Sequence, residues 1–264
     1  MHFAAASLVG ESTRNPSKYW RNNLAQTLGL LDAVVATDTP TFIFSSTAAV
    51  FGNPQETPIS ESHPRCPINP YGHSKLAVEY LLADYAQAHG LRSITLRYFN
   101  AAGAHPDGSL GERHEPETHL IPLVLQVASG HRRSIARYGS NHATPDGSCI
   151  RDYIHVQDLC NAHLLALRRL MAGGPSEAFN LGNGHGHSVN EVIAAARRVT
   201  GHPIEVQDDP PRPGDPPILV ADARRAHQTL GWTPQHPDLE RILAHAWQWE
   251  QRRHAHTPAP TLPA

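Results

Sequence analysis

Apolar and polar positions in this chain alternate in segments of two kinds. From Pro16 onward, Tyr19, Trp20, Leu24, Leu28, Leu31, Val34 and Val35 form a helical stripe, and Asn15-Pro16 suits its opening. Thr41-Phe42-Ile43-Phe44-Ser45-Ser46 is a short apolar run leaving a polar end, the pattern of a buried parallel strand. After a Pro-rich loop over 52–70, residues 71–88 predict a second helix with apolar Leu76, Val78, Tyr80, Leu81, Leu82 and Tyr85, closed by His89-Gly90. Ser93 to Phe99 predicts the next strand. Further on, the pattern predicts a helix over 120–129, a strand at 153–156, a helix to about Met171 and a strand at 179–181. A helix over 188–199, a short strand at 204–206 and two closing helices complete the series. The alternation implies an α/β fold with a parallel sheet, which binds ligands beyond the carboxyl ends of its strands. Ser45-Ser46-Thr47 and Asn100 fall at such ends, and Tyr71 begins a helix close by in sequence.

Composition narrows the partners. The 264 residues are 40% apolar and 17% charged with a net charge of −2, which provides no field for nucleic acid or an anionic membrane. No apolar run has the length of a membrane span, and no basic region precedes the apolar stretch from Phe3 to Val9. Cys66, Cys149 and Cys160 show no C-x-x-C spacing and fit a reducing cytoplasm.

The candidate chemistry is Tyr71-Gly72-His73-Ser74-Lys75. On a helix, positions i and i+4 share a face, so Tyr71 and Lys75 can meet beside one ligand. An ammonium close to a phenol is expected to lower the phenol pKa from about 10 toward neutrality, giving a base for a hydroxyl proton. Lys18 and Lys75 are the two lysines in a chain that otherwise uses arginine. Arginine stays protonated and does not replace a compact, tunable ammonium. Two other motifs predict no site. Gly182-Asn183-Gly184-His185-Gly186 has the wrong spacing for a dinucleotide loop and reads as a turn. His114-Glu115 with His119 has a spacing of five and an intervening Pro116, so one helical face cannot present both histidines to zinc, and no metal is expected.

With these residues in place, the chain resembles the UDP-glucose 4-epimerases of the extended short-chain dehydrogenase/reductase superfamily. Phe42-Ile43-Phe44-Ser45-Ser46-Thr47-Ala48-Ala49-Val50-Phe51-Gly52 and Asn69-Pro70-Tyr71-Gly72-His73-Ser74-Lys75 carry the resemblance. So do Leu96 to Ala104, Glu117-Thr118-His119-Leu120-Ile121-Pro122, Asp146 to Val156, Asn180-Leu181-Gly182 and Arg212-Pro213-Gly214-Asp215. The resemblance runs from residue 1 to about residue 250. It implies NAD as cofactor and UDP-glucose and UDP-galactose as the sugars interconverted through a transient 4-keto intermediate. Tyr71 is then the base, Lys75 the holder of the nicotinamide ribose, and Thr47 the partner of the sugar 4-oxygen. Phe3, Ala4, Ala5, Ser7, Asn22, Ser45, Tyr98 and Phe99 match further cofactor contacts. Asn100, His119, Leu120, Arg151, Arg212 and Asp215 match positions around UDP, where guanidinium groups suit a diphosphate. Related dehydratases carry Asp-Glu after the strand-end Thr; here Ala48-Ala49 follow Thr47, which favours epimerisation. Leu219 matches a pocket-wall position and leaves N-acetylhexosamine or pentose UDP-sugars open as alternatives.

The implied domains are a partial NAD-binding Rossmann domain over 1–100 and 152–182, and a smaller α/β UDP-sugar domain over 101–151 and 183–252. Residues 253–264 are expected as a disordered tail, and helices 16–36 and 71–88 match the family's dimer interface. The family begins with a strand, a Gly-rich turn and a helix that hold the cofactor pyrophosphate. That opening is expected to be absent, with Met1 inside the fourth strand of the 3-2-1-4-5-6 order, which leaves an apolar edge. The expectations that follow are an incomplete sheet and weak activity of these residues even with added NAD. The alternative function is a non-catalytic binder of UDP-sugar.

Overall fold

The computed structural model describes residues 1–212 and 215–254. They form two units: residues 1–99, 161–184 and 221–233 make the first, and 100–160, 185–220 and 234 onward make the second.

The first unit is built on three parallel strands, β1 (Thr41–Thr47), β2 (Arg92–Tyr98) and β7 (Glu177–Leu181), in the order β1-β2-β7. Register aligns Ser45 with Leu96 and Leu96 with Phe179, so the carboxyl ends of all three strands come level. His2 runs parallel beside β1, donating from its N–H to the Ile43 carbonyl at 2.9 Å and bridging to Phe44. Beyond it, Met1 and Phe3 are exposed. Helix α1 (Val9–Arg14) was not foreseen. The predicted second segment opens as expected with α2 (Pro16–Tyr19), where the Asn15 side chain accepts from the Lys18 N–H. It continues through a π-helical stretch (Trp20–Ala25) into α3 (Gln26–Ala36). Helix α4 (Pro70–His89) starts on the Asn69 cap with Pro70 in its first turn and stops at Gly90 in the left-handed region. Leu31, Phe42, Phe44, Val78, Leu82 and Leu91 close the core between these helices and the sheet. Each such side chain contributes about 1.5–3 kcal/mol on burial.

The second unit centres on three helices, α5 (Leu120–Ala128), α7 (Val189–Thr200) and α9 (Leu239–His254). Ile121, Val124, Leu125, Ile193, Ala196, Ile242 and Leu243 are buried together there. Ser188 and Glu191 form a reciprocal capping box on α7. Short strands frame the helices. β3 (Asn100–Ala102) pairs with β6 (Tyr153–His155), and β4 (Ile135–Tyr138) pairs with β9 (Val206–Asp209). β5 (Ile150–Arg151) lies between β10 (Ile218–Leu219) and β8 (His187–Ser188).

Besides shifts of one or two residues at 100 and 183–184, the unit boundaries differ from the expected domains in two stretches. Residues 152–160 belong with the second unit, because β6 pairs with β3 and the Asn100 N–H donates to the Asp152 carbonyl at 3.0 Å. Residues 221–233, including α8 (Arg224–Leu230), belong with the first. There the Asp222 N–H donates to the Ile59 carbonyl at 2.9 Å, and Arg225 reaches Glu177 at 3.3 Å. Both changes follow from backbone pairings between distant segments, which local periodicity does not encode. Residues 253 and 254, expected in the tail, continue α9; residues 255–264 lie outside the described residues. Among the described residues no helix is long and apolar enough to cross a membrane.

Candidate active site

Local chemistry explains why Thr47 and Tyr71 meet. Thr47 ends β1 and caps the 3-10 turn Ala48–Phe51 by accepting the Ala49 N–H on its hydroxyl at 3.1 Å. Gly52 leaves that turn at φ 64°, and a Cβ there would lie 1.9 Å from the Cys66 carbonyl oxygen, so only glycine fits. On the other side, the Asn69 side chain accepts the Gly72 N–H at 2.9 Å and orients the first turn of α4. Gly72 lets that turn close on the strand end, since a Cβ at this position would stand 2.5 Å from the Ala49 carbonyl oxygen. The outcome is a Tyr71 phenol hydrogen-bonded to the Thr47 hydroxyl. Tyr19 packs edge-on to the Tyr71 ring at 6.3 Å.

Lys75 follows one turn later and is 4% exposed. Its ammonium donates to the Ser45 carbonyl oxygen at 2.7 Å and lies 4.8 Å from the centre of the Phe44 ring. No carboxylate pairs with it among the described residues. Burial pushes its pKa down from 10.5 to about 8. The expected effect on Tyr71 is not found. Burial raises the Tyr71 pKa to about 12, the bond from Thr47 opposes that rise, and Lys75 is not among the causes. The reason is direction. The ammonium is engaged by a strand carbonyl, while at the phenol desolvation outweighs the bond from Thr47.

Around this pair, Ser45 hydrogen-bonds Tyr98 through side chains and lies 3.4 Å from His163 Nε2. Phe3 packs on the His163 ring at 4.9 Å. The Ala6 N–H is held by both Asn22 and Asn23, at 2.9 and 2.8 Å, which fixes the loop carrying Ala4, Ala5 and Ser7. Asn23, beside Asn22 in a segment that matches the family, had no role assigned from sequence. It is buried and also donates to Ser74 Oγ at 3.0 Å, tying that loop to α4. Phe99 closes the first unit and is half-buried.

A second group of predicted residues sits in the second unit. Arg151 forms an ion pair with Asp215 and donates to the Ile150 carbonyl at 2.7 Å. Arg212 stacks over the Tyr138 ring at 3.7 Å. Cys149 feels the charges of Arg151, Asp215 and Arg212, so the three share one neighbourhood; its thiol is pushed up, mainly by burial. Leu219 lies on β10 in register with Arg151. Asn100 begins β3, and His119 occupies the position just ahead of α5, before Leu120. Glu112 and Glu117 hold His119 well above the ordinary imidazole range, at about 10.

The expectation of no metal site rested on helical presentation of His114 and His119, and that premise does not hold. The segment before Leu120 is not helical, and Glu112, His114, Glu117 and His119 bring one ligand atom each within 4.8 Å of one another. Glu112 carried no sequence signal, and Glu117 entered only as the first residue of the family-like segment Glu117 to Pro122.

Residues 1–244 match the family described as GDP-mannose 4,6 dehydratase. The chain is 52% identical over 256 residues to the UDP-glucose 4-epimerase of Halalkalibacterium halodurans, covering 97% of this chain and 76% of that protein. The crystal structure of UDP-glucose 4-epimerase from Brucella ovis in complex with NAD superposes with a TM-score of 0.90 at 49% identity, covering 93% of this chain and 76% of the other. The epimerase of Bifidobacterium longum in complex with NAD+ and UDP superposes at 0.91 with 40% identity, over 96% and 76% of the two chains. A Tyr71–Thr47 hydrogen bond beside a buried lysine, on a parallel sheet with this level of identity along its length, places the chain in the UDP-glucose 4-epimerase family of the extended short-chain dehydrogenase/reductases.

Proposed function

We propose that this chain is an NAD-dependent epimerase that interconverts UDP-glucose and UDP-galactose through a 4-keto sugar. The observation that carries the reading is the buried Lys75, a cation without a carboxylate among the described residues, one turn from a Tyr71 hydrogen-bonded to Thr47. A buried ammonium with one carbonyl acceptor keeps donors free for a ligand, and a ribose diol provides matching acceptors. The residues therefore fit the nicotinamide end of the cofactor, with Phe3, Ala4, Ala5, Ser7, Asn22, Ser45, Tyr98 and Phe99 as its other holders. NAD bound here supplies reversible oxidation at sugar C4 and a cationic ring that favours the Tyr71 phenolate.

The chain's own part is proton handling and orientation. Tyr71, as phenolate, takes the proton from the sugar 4-hydroxyl and later returns it to the 4-oxygen. Thr47 bonds the phenol and presents its hydroxyl to the same oxygen. Ala48 and Ala49 supply no acid for water elimination, which favours epimerisation over dehydration. Arg151 and Arg212 hold the diphosphate, Asp215 orients Arg151, and Asn100, His119 and Leu120 complete the UDP site. In this reading the first unit is the cofactor domain and the second the UDP-sugar domain. N-acetylhexosamine and pentose UDP-sugars are the alternative substrates. Trp20, Leu28, Leu30 and Tyr80 are exposed on the segments 16–36 and 71–88, which supports a homodimer through them. The free Cys66, Cys149 and Cys160 suit the cytoplasm.

The test is conversion of UDP-galactose to UDP-glucose by the purified chain with NAD. Conversion that disappears in Tyr71→Phe supports the reading. Conversion that persists in Tyr71→Phe removes the base assignment, and a chain that neither converts nor binds UDP overturns the proposal.

A further inference from the structure

We infer that Glu112, His114, Glu117 and His119 form a zinc site that staples the irregular segment ahead of α5. The four side chains lie within eight residues of sequence, and their ligand atoms lie within 4.8 Å of one another. The segment is held in place independently of any ion. Trp249 Nε1 donates to the Glu112 carbonyl at 2.9 Å. Glu117 Oε1 accepts the N–H groups of Thr118 and His119 at 2.7 and 2.9 Å, so one carboxylate oxygen is consumed by the loop itself. The other is the informative atom. The Glu117 side chain is only 4% exposed, and its Oε2 is buried without a hydrogen-bond partner, 3.8 Å from His114 Nδ1. A buried carboxylate oxygen with no donor is costly, and a cation is the partner that removes the cost.

Geometry and charge select the ion. A tetrahedral ion with bonds of about 2.0–2.2 Å places its ligand atoms roughly 3.3–3.6 Å apart. Here His114 Nδ1 stands 2.9 Å from Glu112 Oε1 and 3.8 Å from Glu117 Oε2, and His119 Nδ1 contacts Glu112 Oε1. Ligand atoms here spread to as much as 4.8 Å, so the side chains close by roughly 1 Å to complete a tetrahedral shell. Two carboxylates with two neutral imidazoles carry a charge of about −2, which a divalent ion balances. The mixed nitrogen and oxygen set suits zinc; calcium and magnesium prefer six or more oxygens. Four protein ligands make a closed site, so its role is structural. Zinc there locks His119 at the start of α5. This inference does not depend on the proposed reaction.

The test is titration of the whole purified chain with Zn2+ against a chromogenic chelator, comparing wild type with His114→Ala and Glu117→Gln. The His114 side chain is about half exposed, so its removal leaves folding intact, which circular dichroism checks. Wild type is expected to hold one tight equivalent more than either variant, with at least a tenfold loss of affinity at this site in both. Substituted Co2+ should show a visible band of tetrahedral intensity in wild type only. Equal zinc stoichiometry and affinity in all three proteins would assign the binding to scattered surface histidines and overturn the site. Absence of tight binding in wild type would do the same. Both readouts are independent of turnover, so a negative result leaves the epimerase reading untouched.

Discussion

Lys75 and Glu79 stand one turn apart on α4, both buried, and the fold treats them in opposite ways. Glu79 is saturated. It takes Arg97 Nε and Nη2 at 2.9 and 2.7 Å, Ser46 Oγ at 2.7 Å and Arg65 Nη1 at 3.0 Å. Lys75 has a single carbonyl acceptor and no opposing charge among the described residues. Charge burial costs several kcal/mol wherever it is done. At Glu79 the cost is offset on the spot by a two-point ion pair that locks α4 to β1 and β2. At Lys75 it is left standing, which makes sense only if a ligand completes the site. A compensated buried charge marks architecture and an uncompensated one marks function, even four residues apart.

The comparison can be broken in several ways. The largest expected effect is on turnover: Tyr71→Phe should lower kcat by about 10²–10⁴-fold with little change in Tm, because only the proton-transferring oxygen is removed. Next is Glu79→Gln, which strands Arg97 in the interior and should cost about 3–5 kcal/mol in urea unfolding. A loss below about 1 kcal/mol would show that the pair is not the lock described here. Gly72→Ala should follow at about 1–3 kcal/mol, because the new methyl meets the Ala49 carbonyl and the start of α4 must shift. Lys75→Met should abolish activity while leaving stability unchanged or raised, the opposite of Glu79→Gln. A destabilised but active Lys75→Met would reverse the argument.

The smallest effects are in pH dependence. The folded-state pKa of Lys75 is about 8 against an ordinary 10.5, so the unfolded chain binds more protons between those values. Stability should rise as pH rises from about 8 to 10.5, and the rise should be absent from Lys75→Met. On the acid side, His155 is fully buried beside His236 and His245. Burial first, and then its two neighbours, depress its pKa from 6.5 to about 4. Its contribution is complete above pH 6.5 and is lost as pH falls toward 4, which a difference between wild type and His155→Asn in acid denaturation would read.

Much of the fold was legible because it is locally encoded. His89-Gly90 marked the end of α4, whose start at Pro70 falls one residue before the predicted 71, and the run ending in Ser45-Ser46-Thr47 marked β1. The helix at Val9–Arg14 was hidden because it buries only Ser12 and so shows no apolar stripe. The two-residue strands β5, β8 and β10 are too short to carry a period. In the site, Tyr71, Lys75 and Thr47 were readable from residue type and spacing. Asn23, Arg97 and Glu79 were not, because their roles exist only once α4, the Ala6 loop and the strands are in contact.

By itself the sequence determined the strand–helix alternation, the cap residues, the Tyr71–Lys75 spacing and the family resemblance, since each is written in neighbouring residues. Only the tertiary structure decided which unit 152–160 and 221–233 join, that Tyr71 is pushed up rather than down, and that Glu112, His114, Glu117 and His119 converge. Those outcomes depend on desolvation and on contacts between distant or non-helical segments. Neither quantity is a property of residue order until the chain has folded.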